Sequence, residues 1–199
     1  MSLEGMTEND LVARLKAGDE VAFAGLYYRH MPAMIGVAAD IVAGRAAAEE
    51  VAQDAWLAVL KNISGFRQQS SLAGWIFTIL MNKARTRARR DGRAVSFDDF
   101  GDDDGLAAAF DGHGRWREVP ELREEITPER IVAGRALAAH LQAAIDDLPE
   151  AQRAVVVLRI QKGLDAAQVC RILNISDGNM RVLLHRARHA LRERISELV

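Results

Sequence analysis

Three sets of residues in this 199-residue chain have the types and spacing to act on a partner. Glu50, Gln53 and Asp54 stand at i, i+3 and i+4, so on a helix they form one acidic, polar stripe that a basic protein surface would match. Asn82, Arg85 and Arg89 share a second helical face, and Lys83, Arg87 and Arg90 share the face beside it. Between Lys61 and Arg93 there are eight basic residues and one acidic, a density of cation whose natural counterpart is a phosphate backbone. The segment before it, Phe66-Arg67-Gln68-Gln69-Ser70-Ser71, combines an aromatic ring with small and amide side chains and suits an unstacked base. The third set, Ser176, Asn179, Arg181, His185 and Arg186, with Arg188 and Arg192 beyond it, lies in one basic helix near the carboxy terminus.

None of these sets reads as a catalytic centre. There is no glycine-rich phosphate loop and no nucleophile elbow, so an enzyme built on Glu50, Asp54 and a histidine lacks the rest of its machinery. His185 and His189 share a helical face and could join Cys170 around a metal, but Arg186, Arg188 and Arg192 beside them would repel a cation. The expectation is a protein with no catalytic residue, no metal and no cofactor.

The elements that must carry these residues are helices. Apolar residues recur at spacings of three and four almost throughout, and no sustained alternation marks a strand, so the fold class is all-α. Thr7 or Asp10 can open a first helix that ends at Gly18, and Asp19 can cap a second through Leu26, Met34 and Val37. Pro32 is expected to kink that second helix or end it early. A third helix follows Gly44, over about 46–61, and a fourth runs from about 72 to 90. Beyond a long interruption, Thr127-Pro128 starts a helix to about 147. Leu148-Pro149 starts another that Gly163 closes, and two more follow at about 165–173 and 177–198.

The last two helices have the layout of a helix-turn-helix. Asp165 and Gln168 make a capping box for the first of them, and Asn174 suits the left-handed backbone of the turn. Ile175 and Met180 would plug the space between the helices, Cys170 is small enough for their crossing, and Ser176 would cap the second helix. Val182, Leu183, Leu184, Ala187 and Leu191 remain for packing, leaving a basic face of the kind a recognition helix presents to a major groove.

Between the two helical groups the periodicity collapses. Residues 94–130 carry eleven acidic and four basic side chains, with glycines at 101, 105, 112 and 114, which reads as a flexible acidic linker. The expected organisation is therefore two small helical domains, 1–93 and 128–199, joined by a linker at 94–127. A sharper expectation is that Asp98 to Asp104 fold back on the basic fourth helix. The formal net charge of −2 seems to exclude a nucleic-acid binder, but it is the sum of two basic modules set between acidic stretches. One cysteine rules out an internal disulfide, and the apolar runs fall far short of the ~20 residues a membrane span needs. With no basic start or apolar stretch at the amino terminus to suggest export, the expected compartment is the cytoplasm.

Several separated motifs occur together in a telling order: Ala48-Glu49-Glu50-Val51-Ala52-Gln53-Asp54-Ala55-Trp56, then Phe66-Arg67 through Ser70-Ser71 to Trp75, then Asn82. Leu148-Pro149-Glu150-Ala151-Gln152-Arg153 and Leu184-His185-Arg186-Ala187-Arg188 follow. Over about residues 8–93 and 128–196 the chain resembles the extracytoplasmic-function group of bacterial RNA polymerase sigma factors. The resemblance implies that Glu50, Gln53 and Asp54 dock on a basic coiled coil of core RNA polymerase. It implies that Phe66, Arg67, Ser71, Trp75, Asn82, Lys83, Arg85 and Arg89 melt the promoter and hold a flipped base of its −10 element. Ser176, Asn179, Arg181, His185 and Arg186 would read the −35 element, and an anti-sigma factor would be a further partner. Leu183 and Val182 stand where the family has a basic and a small polar residue, and Asn174 where glycine is common. A reading from another class is a conventional helix-turn-helix regulator with an amino-terminal ligand- or partner-binding domain, which a pocket lined by the second helix would favour.

Overall fold

The protein is described here from a computed structural model over residues 6–93, 97 and 138–196, and every regular element among those residues is helical. Helix α1 (Glu8–Lys16) starts where the Thr7 hydroxyl accepts the Asp10 N–H at 3.2 Å, and Gly18, at φ +78°, turns the chain into α2 (Glu20–Ala39). The Asp19 carboxylate caps α2 by accepting the Ala22 N–H at 2.9 Å. Pro32 does not end α2, which runs unbroken through it. The proline faces solvent while Leu26, Met34, Val37 and Ala38 on the other side of the helix are fully buried, so packing on both sides of the lost hydrogen bond carries the helix through.

Helix α3 (Arg45–Asn62) continues into a 3-10 turn at Ile63–Gly65, and α4 (Leu72–Arg90) opens where the Ser71 hydroxyl accepts the Gly74 N–H at 3.1 Å. Residues 138–146 form α5; the Pro128 start expected for it, and the acidic run Asp98–Asp104, lie outside the described residues. Helix α6 (Glu150–Val156) widens into a π turn at Val157–Gln161, a feature periodicity could not reveal, before Gly163 at φ +66° breaks it. Helices α7 (Ala166–Leu173) and α8 (Asp177–Ser196) complete the chain.

Phe77, Ile76, Leu80, Leu26 and Met34 centre the first group of helices, and Leu158, Leu164, Leu173 and Leu183 centre the second. These side chains are shut away from solvent, and each contributes about 1.5–3 kcal/mol by burial. The two groups do not stand apart: α2 packs on α6 and α4 on α7, and the buried apolar residues run together into one cluster.

Candidate nucleic-acid interface

Helix α3 presents Gln53 and Asp54 to solvent, because the opposite face, with Val51, Ala52, Ala55 and Trp56, is sunk in the core. Glu50 is on the same outer stripe but is paired with Arg87 of α4 at 2.9 Å, and Arg87 also holds Asp91 at 3.1 Å. Leu57 continues the stripe and is 56% exposed, an apolar extension that a search for charged residues passes over although its spacing of three and four from Asp54 and Gln53 marks it.

The loop before α4 differs from its expected display of an aromatic ring. Phe66 is buried with its ring 5.0 Å from that of Trp75, and its carbonyl accepts from the Lys16 ammonium at 2.8 Å. Both rings therefore brace the loop from inside. Gln68 is held in a left-handed conformation, φ +55°, with its amide bonded to Asn9 at 3.1 Å, which leaves Arg67 at the exposed tip. Along α4, Asn82 and Arg89 are exposed and Lys83 half-buried.

Ser71 and Arg85 are engaged from the other half of the molecule. Besides capping α4, the Ser71 hydroxyl accepts the Gln168 amide at 3.2 Å, and the Arg85 guanidinium donates to the Ile172 carbonyl at 2.9 Å. Burial, with Arg89 alongside, lowers the Arg85 pKa from its usual value. The helices approach so closely that a Cβ at Gly74 would stand 2.9 Å from the Gln168 amide nitrogen.

The helix-turn-helix forms as its sequence dictates. The Asp165 carboxylate accepts the Gln168 N–H at 2.7 Å while the Gln168 side chain accepts the Asp165 N–H at 3.2 Å, closing the capping box. Asn174 adopts φ 56°, ψ 53°, Ile175 and Met180 are buried between the helices, and the Ser176 hydroxyl accepts the Asn179 N–H at 3.1 Å. Arg181 is exposed and paired with Asp177 at 2.7 Å, and His185 and Arg186 are half-buried. Asn179 is turned inward, only 5% exposed, and its amide donates to the carbonyl of Phe97 at 2.8 Å. Cys170 is half-buried, and burial first, then Asp177, pushes its thiol pKa up.

Two further groups escaped the sequence reading. Asp40, at the end of α2, is 1% exposed and receives the Arg153 guanidinium of α6 on one carboxylate oxygen. Arg153 also donates to the carbonyls of Asp146 and Leu148. Burial pushes the Asp40 carboxyl up to about 6, against the pull of Arg153. Nothing local distinguishes Asp40 from a surface aspartate. His30, also in α2, is buried against Phe77, and burial, then the charges of Lys162 and Arg29, takes its pKa down to about 4. It lies at the wall of a crevice of about 360 Å³ bounded by α1, α2, α4 and the turn after α6. Among the described residues no group of three or more histidine, cysteine or acidic side chains is placed to hold a metal, and no helix is long and apolar enough to cross a membrane.

The sigma-70 region 2 family model matches residues 26–94, and the sigma-70 region 4 model matches residues 139–191. The chain is 26% identical over 197 residues to the ECF RNA polymerase sigma-E factor of Escherichia coli K12, covering 98% of each. It is 28% identical over 150 residues to a probable RNA polymerase sigma factor of Haemophilus influenzae, covering 75% of this chain and 77% of that one. Among solved structures, CnrH in complex with the cytosolic domain of CnrY shares the fold at TM-score 0.50 and 20% identity, over 96% of this chain and 97% of that one. The sigma factor RpoE of Bartonella quintana, in complex with the anti-sigma factor NepR, does so at TM-score 0.50 and 21% identity, over 87% and 96%. With sigma-70 regions 2 and 4 matched in order and the E. coli sigma-E factor matched nearly end to end, the chain belongs to the extracytoplasmic-function group of the sigma-70 family.

Proposed function

We propose that this protein docks on core RNA polymerase through α3 and directs the enzyme to promoters that it melts with α4 and reads with α8. The observation that carries the reading is the presence in one chain of a region 2 match bearing the acidic stripe and basic α4, and a region 4 match bearing the helix-turn-helix. Residues 1–93 would serve polymerase binding and the −10 element, 128–199 the −35 element, and 94–127 would link them in the cytoplasm.

Gln53, Asp54 and Glu50 supply the acidic docking stripe, with Leu57 as its apolar end. Arg67, Asn82, Lys83 and Arg89 meet the phosphates and the unstacked strand, and Phe66 and Trp75 hold the loop in shape from beneath. Extruding a base costs a few kcal/mol, which such contacts offset with no catalytic group. Ser71 and Arg85 join them once released from α7, as Asn179 joins Ser176, Arg181, His185 and Arg186 in the major groove. Control by an anti-sigma factor fits this scheme, and the Bartonella protein of the same fold is held by one.

The test is run-off transcription from the promoter of the protein's own operon with purified core polymerase. Wild type is expected to support it, and Asp54→Arg is expected to lose core binding by tenfold or more, in the range set by charge reversal at an interface. No core binding by wild type, or full binding by the variant, overturns the reading. The crevice lined in part by α2 favours the second reading, a ligand-responsive regulator. That reading predicts promoter binding without core polymerase.

A further inference from the structure

Two cations meet at the crevice of about 360 Å³ without an acid to pair them. Arg29 of α2 and Lys162, the residue after the π turn, both line it, and the Lys162 ammonium donates to the Arg29 carbonyl at 3.2 Å. Among the described residues no carboxylate stands within ion-pair distance of either side chain. The π turn is what brings Lys162 here: its N–H closes the widened turn on the Val157 carbonyl at 3.0 Å, and such turns recur at functional sites. Burial, and then the charge of Arg29, lower the Lys162 pKa from its usual value, as expected of like charges brought together out of water. His30 lines the same crevice, is 7% exposed, and has a buried Nδ1 with no hydrogen-bond partner. Buried ring nitrogens are ordinarily bonded, so this one asks for a partner.

The rest of the wall fixes what could satisfy these groups. Glu8 also lines the crevice, with its carboxylate accepting the Leu72 N–H at 3.0 Å. Two cations against one carboxylate, with His30 neutral, leave one net positive charge, which matches a monoanion better than a phosphate dianion or a dicarboxylate. Leu11, Leu26, Leu72 and Ala73 give the crevice an apolar side, and its size falls in the range of small-molecule sites, ~300–1,000 Å³. We infer that this crevice binds a small organic monocarboxylate, its head group on Arg29 and Lys162 and its apolar body along Leu26 and Leu72. The planar guanidinium offers paired donors that fit a carboxylate, and the His30 Nδ1–H donates to the same head group. The site is separate from the α3 stripe and from the basic faces of α4 and α8, and it does not depend on the polymerase reading.

Isothermal titration calorimetry on the full chain tests the site with octanoate and benzoate as probes. Inorganic phosphate supplies charge without an apolar body, and 1-octanol the body without charge. At least one of the two carboxylates is expected to bind at one equivalent with sub-millimolar affinity, and phosphate and 1-octanol at least tenfold more weakly. Arg29 is exposed, so Arg29→Gln removes a head-group donor and leaves the core intact. That variant, and Lys162→Gln beside it, are expected to weaken carboxylate binding by about tenfold or more, the effect of losing one charge-assisted contact. Circular dichroism checks that both keep their helices, and if Lys162→Gln does not, Arg29→Gln decides alone. Failure of both carboxylates to bind overturns the inference, as does equal binding of phosphate or 1-octanol. Full affinity in Arg29→Gln overturns it too, since the probe would then sit on apolar surface elsewhere. Run-off transcription tests the polymerase reading without touching these titrations.

Discussion

His30 shows how one buried group sets a pH dependence. Its folded pKa, lowered from 6.5 to about 4, means that between those values the unfolded chain binds a proton the folded protein refuses. The stability it contributes is whole above pH 6.5 and drains as the pH falls toward 4, by roughly 3 kcal/mol in all. Asp40 works in the opposite sense: with its pKa raised to about 6, the folded state favours its protonated form, and stability rises as the pH falls from 6 toward 4. Comparing the wild type with His30→Leu isolates the histidine. The stability difference between the two, measured by urea unfolding, is expected to shift by roughly 3 kcal/mol in the variant's favour between pH 7 and pH 4. An unchanged difference would mean that His30 titrates as an exposed imidazole does.

At the scale of elements, the turn between α7 and α8 rests on Asn174, whose backbone lies in the left-handed region. There a Cβ without a local polar partner costs about 1–2 kcal/mol, which asparagine largely avoids and glycine avoids entirely. Asn174→Ala is expected to lower stability by about 1 kcal/mol, and Asn174→Gly to change it by a few tenths, both read from urea midpoints. Equal effects of the two would show that the turn relaxes out of this conformation. Caps, turns and apolar periodicity made most helix boundaries legible, including α4 at Leu72–Arg90, because these signals act within a few residues. Pro32 does not end α2 early, because the helix is carried past the lost hydrogen bond by burial of Leu26, Met34 and Val37, which only distant residues can supply.

For the whole molecule, the near-neutral charge conceals an arrangement in which α4 and α8 are basic and α3 acidic. On DNA, each phosphate contact releases counterions and steepens the salt dependence of binding. With holoenzyme on the promoter of the protein's own operon, Arg89→Gln is expected to reduce the slope of log affinity against log salt by about 1 and to weaken binding similarly on all sequences. An unchanged slope would remove Arg89 from the phosphate contacts. The packing of α4 on α7 engages part of this basic surface, since Arg85 donates to the Ile172 carbonyl.

The sequence by itself determined the helices, the capping box at Asp165, the left-handed turn at Asn174, the acidic stripe and the basic α4. Each depends on residues a few positions apart. The family resemblance was legible for the same reason: its motifs are local runs set in order. Only the tertiary structure decided that Phe66 is buried against Trp75, that Asn179 turns toward Phe97, and that Asp40 meets Arg153 across 113 positions of sequence. The physical reason is that burial and ion pairing depend on which surfaces meet in space. A lone aspartate at a helix end carries no mark of the arginine that will neutralise it.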